Sequence, residues 1–596
     1  MVFGLKTIQR ITINFNIGER TMKSASDLKG GEVIAQSLHK HGVTSVFSLA
    51  GTAHTYLLQA LEPLGIDVVS TRHETATVLA ADGYARISGR TGVALIKNDQ
   101  GLPNAMTGIC TANAACSPVV VLSSLSPASS VESGGDHHEL DIVKPVAKWV
   151  RIVPSPDRMA EYLAMAFHQA SSGRQGVAVL GIPQEFQGFT VAAGDIPVHP
   201  VARPPAIAAQ DAAALVDMVL KAKHPMIVVG GGALASGAGP VLQHLAKTYD
   251  IPVVGNSHGR GLVPEDNRHG FSWPLAQVAA RQADLVIAVG IRMTQRMGYG
   301  LPPRFSKTAT FVQIDIQAEA IGRNRPVDVP IVADATSALE ALSAGLAAKG
   351  FKGFGSTQWV NDAMTARLQR IDEIGRDPQA EIHPYQIGRT LQELLPPDAV
   401  VVGDGADILN WLHGVYFVKH PRCYMDHYPF GSMGVGTGLA VGAAVALREE
   451  ARTSGRPARP LVLLTGDGAF GFYCAELHSL AHAGLPITII IANDGAWGTE
   501  HHGQLRALGT SFNCLLGKSD YHYIGQAFGF ETRKVSASGE VHDTVKWALG
   551  ENGRTLINIL TDTEAGKVRK SDPRVQTIAF EDLASSLKVL STPDVA

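Results

Sequence analysis

Two apolar runs that end in acidic glycine turns constrain this chain more than any other feature. Leu461-Val462-Leu463-Leu464 leads into Gly466-Asp467-Gly468, and Ile487-Thr488-Ile489-Ile490-Ile491 leads into Asn493-Asp494-Gly495. Short unbroken apolar runs bounded by turn residues are the pattern of parallel strands buried on both faces. The 27-residue spacing of Asp467 and Asp494 leaves room for one crossover helix, so both carboxylates are expected at the same sheet edge. That edge is the crevice where open α/β sheets bind ligands. Hard carboxylate oxygens beside backbone N–H groups suit a magnesium ion and a diphosphate.

The same alternation recurs along the chain. From Gly31 a helix, a strand around Val43–Leu49, a second strand at Ile66–Ser70, and strands at Gly92–Ile96 and Val119–Leu122 alternate with Ala-rich helices. A second block opens at Pro225–Val229, followed by Gly230-Gly231-Gly232, and runs through Leu285–Val289 to Phe311–Asp315. A third starts at Ala399–Val402 and ends at Leu556–Leu560. The predicted fold is α/β: three doubly wound, mainly parallel-sheet domains. The expected divisions are an extension over 1–26, domains over 27–200, 201–350 and 385–565, a linker over 351–384, and a tail over 566–596. A length of 596 residues fits this count at roughly 150 residues per domain.

A formal net charge of −3 offers no electrostatic case for nucleic acid. Five cysteines without a CxxC spacing indicate neither a disulfide framework nor zinc, and a reducing cytoplasm is the expected location. No apolar run approaches the ~20 residues needed to span a bilayer, so no membrane partner is expected. The first 21 residues lack the apolar core and small-residue cleavage site of a secretory signal. Because they precede Met22, they read as an extension or an upstream start.

Three separated stretches together resemble the thiamine-diphosphate-dependent enzymes over about residues 27–565. They are Gly466-Asp467-Gly468 through Asn493-Asp494, Arg72-His73-Glu74, and Gly431-Ser432-Met433-Gly434. The resemblance implies that the first large domain binds the cofactor's pyrimidine and the third its diphosphate. Gly431, Met433, Gly466, Asp467, Gly468, Ala469, Asp494, Ala496 and Gly498 would then contact thiamine diphosphate. Asp467, Asp494 and the Ala496 carbonyl would hold Mg2+. Relatives more often carry Asn where Asp494 stands. Glu74 would hydrogen-bond the aminopyrimidine of a cofactor held by a neighbouring subunit, which makes a homodimer, or a homotetramer built from it, the expected assembly. Taken alone, Asp467 is also a turn former, and Glu74 a carboxylate favoured at a helix N-terminus.

The reaction depends on a few further side chains. Glu500 follows Asp467 by 33 residues, where 2-oxo acid decarboxylases carry a catalytic glutamate and acetohydroxyacid synthases an apolar residue. His137 and His138 stand where decarboxylases have a His-His pair, and His54 lies on the loop after the first strand. An imidazole beside a carboxylate can shuttle the hydroxyl proton of carbon–carbon cleavage or formation. As bland alternatives, the pair is a solvated loop and His54 a surface histidine.

The run Gly134–Asp141 and the segment Phe311–Asp315 with Asn324-Arg325-Pro326 resemble the oxalyl-CoA decarboxylase and 2-hydroxyacyl-CoA lyase branch. The expectation is therefore lyase chemistry on a small-molecule substrate, a CoA thioester, and the observation that discriminates it is whether Lys567, Arg569, Lys570 and Arg574 close over the site and offer cations to CoA phosphates. A 2-oxo acid decarboxylase or acetohydroxyacid synthase-like carboligase is the alternative. Gly230–Gly232 and Asp315 are compatible with an ADP in the central domain, as in that branch. A catalytically silent homologue and a nicotinamide or flavin oxidoreductase are the readings from other classes.

Overall fold

The structure is a computed structural model that describes residues 27–97, 100–130, 139–192, 195–376, 381–550, 553–567 and 572. A short antiparallel ribbon pairs β1 (Asp27–Lys29) with a later strand, β8. The first sheet comprises β2 (Ser45–Ser48), β3 (Asp67–Ser70), β4 (Gly92–Ile96), β5 (Val119–Leu125), β6 (Trp149–Ile152) and β7 (Val177–Pro183). Its order is β3-β2-β4-β5-β7-β6, and β8 (Thr190–Ala192) returns to β1.

The middle sheet holds β9 (Pro225–Val229), β10 (Val253–Gly255), β11 (Gly270–Ser272), β12 (Leu285–Val289), β13 (Thr310–Asp315) and β14 (Val329–Val332). The third holds β15 (Val400–Gly403), β16 (Tyr424–Asp426), β17 (Leu461–Gly466), β18 (Ile487–Asn493), β19 (Glu531–Val535) and β20 (Arg554–Leu560). Their orders are β11-β10-β9-β12-β13-β14 and β16-β15-β17-β18-β20-β19. Every pairing inside the three six-stranded sheets is parallel, so the chain is an α/β protein of three doubly wound, mainly parallel sheets. The central strands β5, β12 and β18 are buried end to end or nearly so, as their unbroken Val, Ile and Leu runs require. By contrast β19, Glu-Thr-Arg-Lys-Val, is an exposed edge strand whose sequence carries no apolar run.

The first and third sheets are locked together by two helices made of small residues. Glu74–Ser88 and Gly436–Ser454 lie so close that a Cβ on Gly442 would overlap the Ala80 carbonyl oxygen, and one on Gly83 would overlap that of Leu439. One continuous core cluster therefore spans both units. Within it Asp82 and Arg86 form a buried bidentate pair at 2.7 and 2.5 Å, and the Arg86 guanidinium also donates to the Asp426 carbonyl at 2.8 Å. Each buried charge is thus paired and hydrogen-bonded, the condition under which burial is tolerated. A long helix, Gln358–Arg376, runs between the middle and third sheets. No helix among the described residues is long and apolar enough to cross a membrane.

Candidate active site

The register of β17 on β18 pairs Gly466 with Ala492, so the residues after each leave the sheet side by side. Gly495, at φ 68°, turns the chain in the left-handed region that favours glycine, and the helix Gly498–Leu508 follows. Asn493 points inward instead, its amide donating to the Ser519 carbonyl at 2.8 Å and to Asn558 at 3.1 Å. Asp494 is left facing the cleft, where its Oδ1 accepts the Ala496 N–H at 3.1 Å and its carbonyl accepts the Thr563 hydroxyl at 2.5 Å.

Asp467 is 1% exposed and within hydrogen-bond distance of Asp494. Its Oδ2 has no partner. Burial raises the pKa of Asp467, and that of Asp494 is raised by burial and by the charges of Asp467 and Asp407. Two carboxylates pressed together with an orphaned oxygen cannot both ionise cheaply without a cation between them. The donor set of two carboxylates and the Ala496 carbonyl fits a hard divalent ion.

Around this pair lies a cleft of about 120 Å³, lined by residues from Pro384 to Asp562, including Met433, Gly466, Gly468, Ala469, Gly498 and Glu500. A Cβ on Gly468 would overlap the Trp497 ring, and one on Gly498 would stand 2.6 Å from Asp494 Oδ2. These glycines keep the backbone close to whatever fills the cleft. Gly431 lies on the Met433 loop at φ 87°. Glu500 occupies the first turn of the Gly498–Leu508 helix, with its side chain at the exposed rim.

Two further carboxylates of the site went unnoticed in the sequence. Asp404 accepts the N–H groups of Gly405 at 2.7 Å, Gly434 at 3.2 Å and Gly436 at 2.7 Å, and so clamps the Gly431–Gly434 loop onto the end of β15. Asp407, on the same turn, lines the cleft beside Asp494. The signal was present, because Gly403-Asp404-Gly405 after Val400–Val402 repeats the acidic glycine turn that follows β17.

Glu74 is the first residue of its helix, 9% exposed, with Asn104 Nδ2 donating to its Oε2 at 3.2 Å. The preceding turn is held by Glu476 from the third unit, whose two carboxylate oxygens accept the Arg72 N–H at 3.0 and 3.2 Å. Ser479 also donates to Glu476, at 2.6 Å. Glu74 is not among the residues lining the Asp467 cleft of its own chain.

His54 is neither a surface histidine nor displayed in that cleft. It is 2% exposed, its Nε2 donates to the Ile96 carbonyl at 3.0 Å, and its Nδ1 faces the Gln187 amide at 3.4 Å. Burial lowers its pKa. His501 and His502 are likewise committed, His501 to Ser511 just past the helix at 2.7 Å and His502 to the Thr563 carbonyl at 2.9 Å, which tethers the helix to the chain after β20. His137, His138, Arg569, Lys570 and Arg574 lie outside the described residues.

A second cavity, of about 820 Å³, opens between the first and middle units. Gly230–Gly232, His258, Arg292 and Asp315 are among its lining. A Cβ on Gly232 would stand 2.7 Å from the Gly290 Cα, so the glycine turn is needed to bring β9 and β12 together at the cavity floor.

Comparison with known proteins matches residues 28–144 to the N-terminal TPP binding domain of thiamine pyrophosphate enzymes, 212–342 to their central domain and 404–559 to their C-terminal TPP binding domain. The acetolactate synthase large subunit IlvG of Mycobacterium tuberculosis is 29% identical over 563 residues, covering 92% of this chain and 98% of that protein. Human 2-hydroxyacyl-CoA lyase 1 is 26% identical over 570 residues, covering 92% and 97%. The sulfoacetaldehyde acetyltransferase of Castellaniella defragrans is 25% identical over 596 residues, covering 94% and 97%. With all three domains matched in order and the acidic glycine cleft in the third, the chain belongs to the thiamine-pyrophosphate-dependent enzymes.

Proposed function

We propose that this enzyme is a 2-hydroxyacyl-CoA lyase type of catalyst that holds thiamine diphosphate with Mg2+ in the Asp467 cleft. The observation that carries the reading away from an acetohydroxyacid synthase is Glu500, a carboxylate on the cleft rim one turn beyond the Asp494 loop, and the preference for a lyase over a 2-oxo acid decarboxylase rests on the resemblance of Phe311–Asp315 and Asn324-Arg325-Pro326 to the lyase branch. Asp467, Asp494 and the Ala496 carbonyl would hold the metal, and the backbone N–H groups around Gly466–Ala469 and Gly498 would receive the diphosphate. Met433, on the loop that Asp404 clamps, lines the cleft and would support the cofactor's ring system there. When bound, thiamine diphosphate supplies a carbon acid whose carbanion adds to a carbonyl carbon and accepts the electrons of the broken bond.

Glu74 acts on the cofactor of a second copy, since it is absent from the lining of its own chain's cleft. Phe430, Phe472, Phe512 and Leu515 are exposed apolar side chains of the loops around that cleft, as an interface between copies requires. A homodimer is thus the smallest active unit, and a homotetramer is compatible with it. Glu500 takes the substrate's hydroxyl proton as the bond between the hydroxyl-bearing and thioester carbons breaks, and a proton returns to the thioester carbon. The products are an aldehyde and formyl-CoA. His54, with both ring nitrogens engaged, is left as a support of the loop after β2. All five cysteines are free, in keeping with a cytoplasmic enzyme.

The 29% identity to an acetolactate synthase favours a second reading, a carboligase or decarboxylase acting on 2-oxo acids. Product analysis of the reconstituted enzyme with pyruvate, oxalyl-CoA and a panel of 2-hydroxyacyl-CoA esters separates the two. Formyl-CoA and aldehyde are expected; acetolactate or acetaldehyde from pyruvate, with the esters untouched, would overturn the lyase reading. For the central cavity we read a nucleotide, ADP in the simplest case. Its glycine turn at the end of β9 and Asp315 at the end of β13 both open on the carboxyl edge of the sheet, where doubly wound sheets bind their ligands.

A further inference from the structure

The central cavity adjoins a smaller pocket on the side of Asp315. This pocket, of about 40 Å³, is lined by Arg174, Arg292, Arg323 and Arg325, with Gln317 and Glu319. Arg174 and Arg292 line both spaces. Among the described residues none of the four guanidiniums takes part in an ion pair.

Three of them are held by neutral groups. Arg174 donates to Gln317 Oε1 at 3.0 Å and to Cys116 Sγ at 3.2 Å, and Arg292 donates to the Ala114 carbonyl. Arg325 donates to the Gly300 carbonyl and lies 4.2 Å above the Phe311 ring. Arg323 is exposed at the rim. Burial lowers the pKa of Arg292, and the neighbouring charges of Arg174 and Arg323 push it the same way. The acids at hand are Glu319, which is exposed, Asp315, whose Oδ1 already accepts the Gln317 N–H at 2.9 Å, and Asp328, whose charge reaches Arg325 and whose Oδ2 accepts the Phe311 N–H at 2.7 Å. Four guanidiniums against three carboxylates leave a net positive charge, and the three arginines held by neutral groups remain open to an anion.

In doubly wound sheets an acid at a strand end receives the ribose hydroxyls, and an arginine beside it accommodates a phosphate on the ribose. Arginine forks are suited to phosphate oxygens because they offer paired, planar donors. Both features meet at the end of β13. We propose that the arginine pocket binds a phosphate carried on the ribose of the nucleotide in the central cavity, at its 2′ or 3′ oxygen. This inference rests on the nucleotide reading of that cavity and goes further by naming which nucleotides it prefers.

The test is calorimetric titration of the full-length holoenzyme with ADP and with two matched pairs, NADP+ against NAD+ and CoA against dephospho-CoA. Each pair differs only by the ribose phosphate, at 2′ in the first and at 3′ in the second. At least one phosphorylated member is expected to bind about tenfold more tightly than its partner. Arg323→Ala, a change at an exposed side chain, should erase most of that preference and leave ADP and the unphosphorylated members unaffected. Which pair responds assigns the 2′ or the 3′ position. Equal affinities within both pairs, with ADP bound, would overturn this inference alone, as would an Arg323→Ala variant that weakens both members equally. No binding by any of the five would overturn the nucleotide reading together with it.

Discussion

Replacing Asp494 by Asn removes one of two carboxylates that the fold presses together. Two unit charges about 4 Å apart repel by roughly 4 kcal/mol at the effective dielectric of a protein site. The metal-free protein avoids that repulsion by keeping a proton on the pair, which for a carboxyl of unfolded pKa about 3.9 costs about 4 kcal/mol at pH 7. Both routes lead to the same bound. Burial and the charges of Asp467 and Asp407 raise the native pKa of Asp494 above its unfolded value. Above roughly pH 4 the native chain therefore binds more protons than the unfolded chain, and stability is lost as pH rises toward the native pKa.

Asn at 494 abolishes this linkage and can retain an acceptor for the Ala496 N–H, which now lies 3.1 Å from Oδ1. In chelator, Asp494→Asn should be more stable than the unsubstituted protein by about 1 kcal/mol at pH 5 and about 2–4 kcal/mol at pH 8. Urea denaturation at a series of pH values reads this difference directly. In excess Mg2+ the advantage should shrink or reverse, because a charged carboxylate ligand has been replaced by a neutral amide oxygen that holds the cation less strongly. A metal-free difference that does not change with pH, or a variant less stable than the parent at pH 8, would refute the reasoning.

Glu74→Gln should leave thiamine diphosphate affinity near normal while abolishing proton exchange at the thiazolium carbon, measured by NMR in deuterated buffer; unchanged exchange would remove Glu74 from its role. Glu500→Gln should lower kcat by about 10²–10⁴ with little change in KM if the carboxylate moves the hydroxyl proton, whereas a rise in KM alone would make it a binding residue. Gly442→Ala places a methyl group on the Ala80 carbonyl and should destabilise the chain by about 1–3 kcal/mol or more, read as a lowered Tm; an unchanged Tm would mean that the helix seam is looser than it looks.

Much of the site was legible because its logic is local. A buried strand, an acidic glycine turn and one crossover helix force Asp467 and Asp494 to the same sheet edge, since parallel neighbours joined this way leave few alternatives. Glycines 466, 468 and 498, expected beside the cofactor from the family resemblance, line the cleft. The three-sheet architecture followed from its apolar runs, while β19 escaped because an edge strand of Glu, Thr, Arg and Lys does not need an apolar pattern.

Contacts between distant segments were not legible. Nothing near Asp404 in the chain says that it will clamp Gly434 and Gly436, and nothing near Arg72 says that Glu476 will hold its N–H from the third unit. His54 read as a loop side chain, but the packing of Gln187 and the Ile96 carbonyl buries it and occupies both nitrogens. The sequence by itself thus determined the fold class and the carboxylate pair, which follow from periodicity and turn chemistry within a few dozen residues, while the cofactor family came from the resemblance of three separated stretches to a known family. Only the tertiary structure decided which polar groups are consumed by internal hydrogen bonds and which remain to face a ligand, because that depends on segments hundreds of residues apart meeting at one sheet edge.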